Sequence, residues 1–291
     1  MTNVFIVGCG DMGKRVALGY LAEGIPVTAL IRSPEKGKLL EALGIKVIIA
    51  DLDDPATLAG LPTAGAILFY FAPPPGGGHQ DPRVRNFCQA PASGAEPSRL
   101  IYMSTSGVYG DFGDTTVTEE SPAIPLTARG KRRLHAESLL LEWGGDNNVP
   151  VIILRVTGIY GPGRLPVSQL TSGEPVLEVG IANLTNRIHA DDLVQVCRAA
   201  AQRGEGGEIY NVSDGHPSTM TAYFNAAADF LRLPRPRQVT WEEARQVMSP
   251  LMLSYVAESR RMDNRKMLEK LEVTLSYPTL AEGIPACGQK L

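Results

Sequence analysis

Short apolar runs recur along the chain at Val4–Val7, Val27–Ile31, Lys46–Ala50, Ala66–Phe71, Leu100–Ser104, Val151–Val156 and Glu208–Val212. Most are continuous rather than alternating, the pattern of strands covered on both faces in a parallel sheet. Between them, Gly13–Glu23, Pro34–Leu43, Pro55–Ala59 and Arg129–Trp143 read as helices. Repeated β-α units predict an α/β fold, a Rossmann-type doubly wound parallel sheet. After Val156 the texture changes. "TGIYGPGRLPVSQLTSGEP" is loop-forming, and a helix is expected from near Asp191, with Asp191 or Asp192 as its cap. "EIYNVS" then returns to the sheet, and the chain from about Asp214 reads as helical and more polar. The expected division is a core of residues 1–157 and 189–213, with a smaller discontinuous substrate lobe of 158–188 and 214–291.

The first run opens "VFIVGCGDMGKRVALGYL", a strand, a glycine turn and a helix. Its Gly8, Gly10 and Gly13 form G-x-G-x-x-G. The first glycine allows the tight turn, the second admits a pyrophosphate to the backbone, and the third lets helix and strand pack closely. Asp11 and Met12 fall inside this turn and belong to the same cofactor site. The helix N-terminus supplies oriented N–H groups and partial positive charge. The second strand ends at Arg32-Ser33, where an NAD-selecting site usually carries an acidic residue. Arg32 suits a 2′-phosphate, with Ser33 as a hydrogen-bond donor, so NADP is expected rather than NAD. Asp51 and Leu52 after the third strand, and Ala72 after the fourth, complete the expected cofactor contacts. "PPPGGGHQ", beginning at Pro73, is a loop placed to cover the cofactor.

Composition narrows the function classes. The chain has 291 residues, 44% of them hydrophobic, and a net charge of -3, which argues against a general nucleic-acid or membrane-surface role. Cys9, Cys88, Cys197 and Cys287 form no C-x-x-C pair, so reduced cytoplasmic thiols are expected and no metal site. The first strand begins almost at once, which leaves no room for a signal peptide, and no apolar run approaches a membrane span.

At "YMSTSGVYG", residues 102–110, the chain resembles the extended short-chain dehydrogenase/reductases of the epimerase/dehydratase type. "GCGDMG", "LRVTGIYGPGR", "NRIHADDL" and "EIYNVSDG" carry the resemblance to about Asp214. "SRRMDNRKM" and "YPTLAEGI" resemble the closing segment of an atypical, YeeZ-like branch. The resemblance implies that Thr105, four residues before Tyr109, polarises a substrate carbonyl. It also implies a Y-x-x-x-K pair on the next long helix. That pair is missing: none of the nine tyrosines is followed four residues later by lysine.

The stretch in its place is "TARGKRRLHAE", residues 127–137. Aligning Glu137 with a glutamate that family members often carry puts Arg129 at the tyrosine position and Arg133 at the lysine position. Sliding by two gives Thr127 and Lys131 instead. Arg129, Arg133, Ala136, Leu140 and Trp143 share one helix face that continues as a core stripe, so the first register places both arginines inward; the alternative is that the pair belongs to a solvated basic helix. Two like charges at this spacing require an anion or hydrogen-bond acceptors. Arginine does not release its proton, so Tyr109 or Tyr160, each in a glycine-flanked loop, is the candidate acid. Arg164 and Arg187 suit an anionic substrate group, while Lys131, Arg132 and His135 read as a solvated face.

The expected function is therefore an NADP-binding oxidoreductase or epimerase-like enzyme acting on a small polar substrate, anionic or nucleotide-sugar-like. A non-catalytic NADP(H)-binding sensor or regulator is the alternative. The resemblance further implies a homodimer paired through the helix that includes Arg129–Trp143.

Overall fold

A computed structural model describes residues 2–91 and 94–288; Met1, 92–93 and 289–291, which fall inside the expected domain spans, lie outside the described residues. Seven parallel strands form the central sheet: β1 (Val4–Val7), β2 (Val27–Ile31), β3 (Lys46–Ile49), β4 (Ile67–Tyr70), β5 (Arg99–Thr105), β6 (Val151–Val156) and β7 (Ile209–Val212). Their order is β7-β6-β5-β4-β1-β2-β3. Every apolar run singled out in the sequence is one of these strands. The returning segment pairs Ile209–Val212 in parallel with Ile153–Val156, at the sheet edge.

Continuous apolarity has a direct cause here. Successive side chains on a strand point to opposite faces, and both faces are covered. Val4 and Ile6 enter one core cluster, beneath α1 (Asp11–Leu21), while Phe5 and Val7 enter the other, beneath α3 (Pro82–Gln89) and α4 (Ala128–Asn147). The helix α5 (Ala190–Arg203) packs with α1 on the first face. Each fully buried Ile, Leu or Phe in these layers contributes on the order of 1.5–3 kcal/mol.

Three local expectations are corrected. Pro55–Leu58 is a short 3-10 turn capped by Asp54, too brief for an α-helix. The helix α3 was not foreseen; Asp81 starts it by accepting hydrogen bonds from the backbone N–H groups of Arg83 and Val84, with proline at its first position. The helix α5 is capped by His189, whose ring accepts from the Asp191 N–H, and not by Asp191 or Asp192. Asp192 is buried and accepts from the Ser276 and Tyr277 N–H groups.

Beyond the carboxyl ends of β5 and β6 the chain builds short strand pairs. Gly158–Tyr160 pairs with Arg187–His189, and Leu184–Thr185 with Ser218–Thr219. Val176–Leu177 pairs with Gln238–Val239, and Thr116–Val117 with Arg261–Met262. Two further apolar clusters fill this region, one around Tyr160, Tyr223, Phe224 and Ile284, the other around Leu177, Val239, Met248 and Val256.

Candidate functional site

Two adjoining concavities lie along the carboxyl edge of the sheet, where open α/β sheets bind ligands. The smaller, about 220 Å³, is lined by Gly8, Arg32, Asp51, Leu52, Ala72 and Arg83, among others. Five of the residues expected to hold the cofactor thus meet here. At Gly8 the backbone has φ +85°, and a Cβ would stand 2.5 Å from the Ala72 nitrogen. Only glycine fits that approach. A Cβ at Gly10 would meet nothing within 4 Å, so the space above the turn is open to a ligand. Gly10 also caps α1 without a side-chain hydrogen bond, leaving the helix N-terminus available to an anion. These features fit a dinucleotide pyrophosphate, with the adenosine end in the smaller pocket.

The other cofactor candidates divide. Gly13 packs helix to strand, its Cβ position 3.2 Å from the Gly8 carbonyl oxygen and from Ile6. Met12 is a core residue. The Asp11 carboxylate is held by Arg15 and by Arg164, which donates at 2.9 Å. Arg32 is exposed and lies 4.0 Å from Asp53. Ser33 does not serve as foreseen: its hydroxyl donates to Glu35 and accepts from the Lys36 N–H, capping the helix Pro34–Glu41. Arg83, which the sequence did not single out, binds Asp53 through two N–H groups at 2.8 and 2.6 Å. The signal was the Asp81-Pro82 helix start, which aims the next turn at this pocket.

The larger cavity, about 530 Å³, has Thr105, Ser106 and Thr157 at the strand ends. Arg129, Arg132 and Arg133 line it from α4, Arg164 from a loop beyond the sheet and Arg187 from the short strand Arg187–His189. Helix periodicity thus placed Arg129 and Arg133 on the right face. Thr127 is the N-cap of α4 and Lys131 is exposed, so the alternative register does not reach the cavity. Arg133 donates to the Met103 carbonyl at 2.8 Å and to the Tyr102 hydroxyl at 3.1 Å. The Arg129 guanidinium lies over the Tyr255 ring, 4.3 Å from its centroid.

Glu137, the residue that set the register, is buried beneath this floor. It accepts from Arg155 at 2.8 Å and from the hydroxyl of Ser104, next to Thr105. Thr105 itself accepts from the Gly107 N–H, which orders the loop after β5.

Arg132 and His135 are not a solvated face. Arg132 donates to the carbonyls of Gly77 and Gly78 at 3.2 and 2.9 Å, tying the proline-glycine loop to α4. The His135 ring accepts from the Asp81 N–H at 3.1 Å.

Both tyrosines proposed as substitute acids are occupied elsewhere. Tyr109 is fully buried and does not line the cavity; its hydroxyl donates to Asn211 at 2.7 Å, and Arg155 stacks on its ring. Burial pushes its phenol above the usual range. Tyr160 reaches the cavity wall, but its hydroxyl points to the Thr279 carbonyl, 3.3 Å away, under the helix Leu280–Ala286. Burial raises it further, with nearby Asp214 adding to the effect. Neither is suited to give up a proton.

Arg187 is 4% exposed and bonds Thr185 and Ser218 hydroxyls, with Tyr223 stacked on its guanidinium. Burial lowers it to about 10, since no carboxylate lies within ion-pairing distance among the described residues. Among the described residues the one carboxylate on the cavity wall, Glu258, is paired with Arg260 at 3.0 Å.

A parallel sheet in this order, a glycine turn opening a helix with no side-chain cap and a polar cavity at the switch point are the features of Rossmann-type nucleotide-binding folds. Comparison makes the class specific. Residues 85–213 match the NAD dependent epimerase/dehydratase family. Protein YeeZ of Escherichia coli K12 is 29% identical over 237 residues, covering 77% of this chain and 82% of YeeZ. A 4-hydroxy-2-methyl-3-oxo-4-farnesyl-3,4-dihydroquinoline-1-oxide ketoreductase of Stigmatella aurantiaca is 26% identical over 231 residues, 74% of this chain and 69% of its own. A functionally unknown conserved protein from Silicibacter pomeroyi DSS superposes with a TM-score of 0.82 at 29% identity, over 98% of this chain and 97% of its own. The chain is therefore similar to the NAD dependent epimerase/dehydratase family over residues 85–213, and to YeeZ over most of its length. No helix among the described residues is long and apolar enough to cross a membrane.

Proposed function

We propose that the protein is an NADP(H)-dependent oxidoreductase acting on a small polar substrate that carries an anionic group. The observation behind this reading is the charge of the larger cavity. Arg129, Arg132, Arg133 and Arg187 line it with no carboxylate in ion-pairing range among the described residues. Guanidinium groups held this way in a partly desolvated site favour an anionic ligand. Arg187, rigidly held and most deeply buried, is the anchor for that group. The Thr105 hydroxyl, on the wall of this cavity, is the donor for the reacting oxygen, and Arg129 stabilises charge developing there. Bound in the adjoining pocket, the dinucleotide supplies or accepts hydride. The ketoreductase named above, similar over most of the chain, supports redox chemistry at a carbonyl.

The preference for NADP(H) rests on Arg32 and Arg83, both at the adenosine pocket and both turned to Asp53. A charge-assisted bond to the 2′-phosphate contributes about 1.5–3 kcal/mol, or about 10–150-fold in affinity. Fluorescence titration should show NADPH binding more tightly than NADH by such a factor, and Arg32→Ala should erase most of the difference. Equal affinities in the wild type overturn the preference.

The sensor reading draws on the occupied hydroxyls of Tyr109 and Tyr160. NADPH consumption measured over a panel of carboxylated and phosphorylated carbonyl compounds separates the two. Steady turnover supports the oxidoreductase; tight NADPH binding with no turnover supports the sensor.

A further inference from the structure

The site lacks a phenol on α4, and Tyr109 and Tyr160 are unsuited to replace it. A different tyrosine lines the same cavity. Tyr255 sits on the short helix Pro250–Val256, contributed by the distal part of the chain. It is 44% exposed, and its hydroxyl has no hydrogen-bond partner among the described residues. Its ring is docked on the Arg129 guanidinium. Arg129 occupies the helix position that the resemblance assigns to the missing tyrosine, so the distal helix brings a phenol next to that position.

We propose that Tyr255 is the proton-transfer residue, with Arg129 as its cationic partner. This rests on the oxidoreductase reading above. In the reductive direction, hydride from the dinucleotide forms a C–H bond at the substrate carbonyl carbon while the phenolic O–H of Tyr255 breaks and its proton bonds to the carbonyl oxygen. The carbonyl is reduced to an alcohol, the dinucleotide is oxidised, and the phenolate regains a proton from water. In the oxidative direction each transfer reverses. A guanidinium over an aromatic ring interacts more favourably as negative charge develops on the phenol, and arginine keeps its own charge throughout. The pair therefore divides the task that tyrosine and lysine share in the expected motif. Thr105, on the cavity floor, hydrogen-bonds the same substrate oxygen.

The test uses the full-length protein and the Tyr255→Phe variant. With a carbonyl compound that the wild type reduces, the variant should lose about 10²–10⁴-fold in kcat, the usual contribution of a positioned acid, with KM and NADPH affinity little changed. Tyr109→Phe should leave kcat of the folded protein within a few-fold. A second measurement needs no turnover. In protein labelled with 13Cζ-tyrosine, the resonance absent from Tyr255→Phe should shift when NADP+ is added, and should shift again in Arg129→Gln. Unaltered kcat in Tyr255→Phe alongside robust wild-type turnover overturns the role of Tyr255 and leaves the oxidoreductase reading intact. A resonance indifferent to both NADP+ and Arg129 overturns the placement. Tight NADPH binding with no turnover of any compound defeats the oxidoreductase reading, and the role of Tyr255 with it.

Discussion

Asp214 shows how a single buried group just past β7 can shape stability. It is 3% exposed, accepts from the His216 N–H through one oxygen, and burial raises its carboxyl to about 6, with Arg187 and His216 opposing. The native state therefore holds a proton that the unfolded chain has released between about pH 4 and pH 6. Its stabilising contribution is full below about pH 4 and is lost as pH rises through 6, on the order of 1–3 kcal/mol. Asp214→Asn removes this dependence. Urea unfolding should show the variant gaining on the wild type between pH 4.5 and pH 7.5; a constant difference across that window would sink the assignment. Other single residues needed context before their roles could be seen. Arg129 and Arg133 were found by counting helix positions, because residues four apart share a face whatever lies opposite. Tyr109 and Tyr160 looked available because glycines flank them, but glycine marks a turn and does not reveal what packs over it.

At the scale of elements, the contact that matters most beneath the site joins α4 to β6. Glu137 and Arg155 form an ion pair with side chains only 2% and 5% exposed, and Ser104 on β5 bonds the same carboxylate. Such a pair is a costly way to build a core, but breaking it strands a buried charge and costs about 3–5 kcal/mol. Glu137→Ala should lower unfolding stability by about that much, and Glu137→Ala with Arg155→Met should recover part of it. A loss under 1 kcal/mol in the single variant would mean the pair is solvated. The strands and α4 were legible because each carries its own pattern of burial. The helix α3 was missed because it is eight residues long and largely polar, and its start depends on the Asp81 cap. The role of Arg132 was misread for a related reason: its partners are backbone carbonyls of Gly77 and Gly78, which leave no mark in side-chain chemistry.

Across the whole molecule, the distal segment is tied to the sheet by backbone-directed contacts. The Asn186 side chain donates to the Arg260 carbonyl at 2.9 Å and accepts from the Met262 N–H at 3.1 Å. Asn264 donates to the Ser213 carbonyl at 2.8 Å, just past β7. These bonds fix the segment whose Arg261–Met262 pairs with Thr116–Val117. Asn186→Ala leaves a buried N–H and a carbonyl unpaired, at a cost of about 1–3 kcal/mol. Hydrogen exchange should speed up over residues 258–264 in this variant while β1 to β5 remain protected; uniform acceleration along the chain would show that the segment is not separately anchored.

Strand runs, the glycine turn and the inward face of α4 are properties of contiguous residues. A parallel strand covered on both sides must be apolar throughout, and a pyrophosphate-binding turn must be glycine-rich, so local sequence was enough to read them. The cavity is different. It joins Thr105 from the end of β5, Arg129 and Arg133 from α4, Arg187 from beyond β6, and Tyr255 from a short distal helix. No periodicity links residues so far apart. Their meeting follows from chain crossings between sheet and distal segment, set by buried packing and by hydrogen bonds to backbone atoms that every residue type shares.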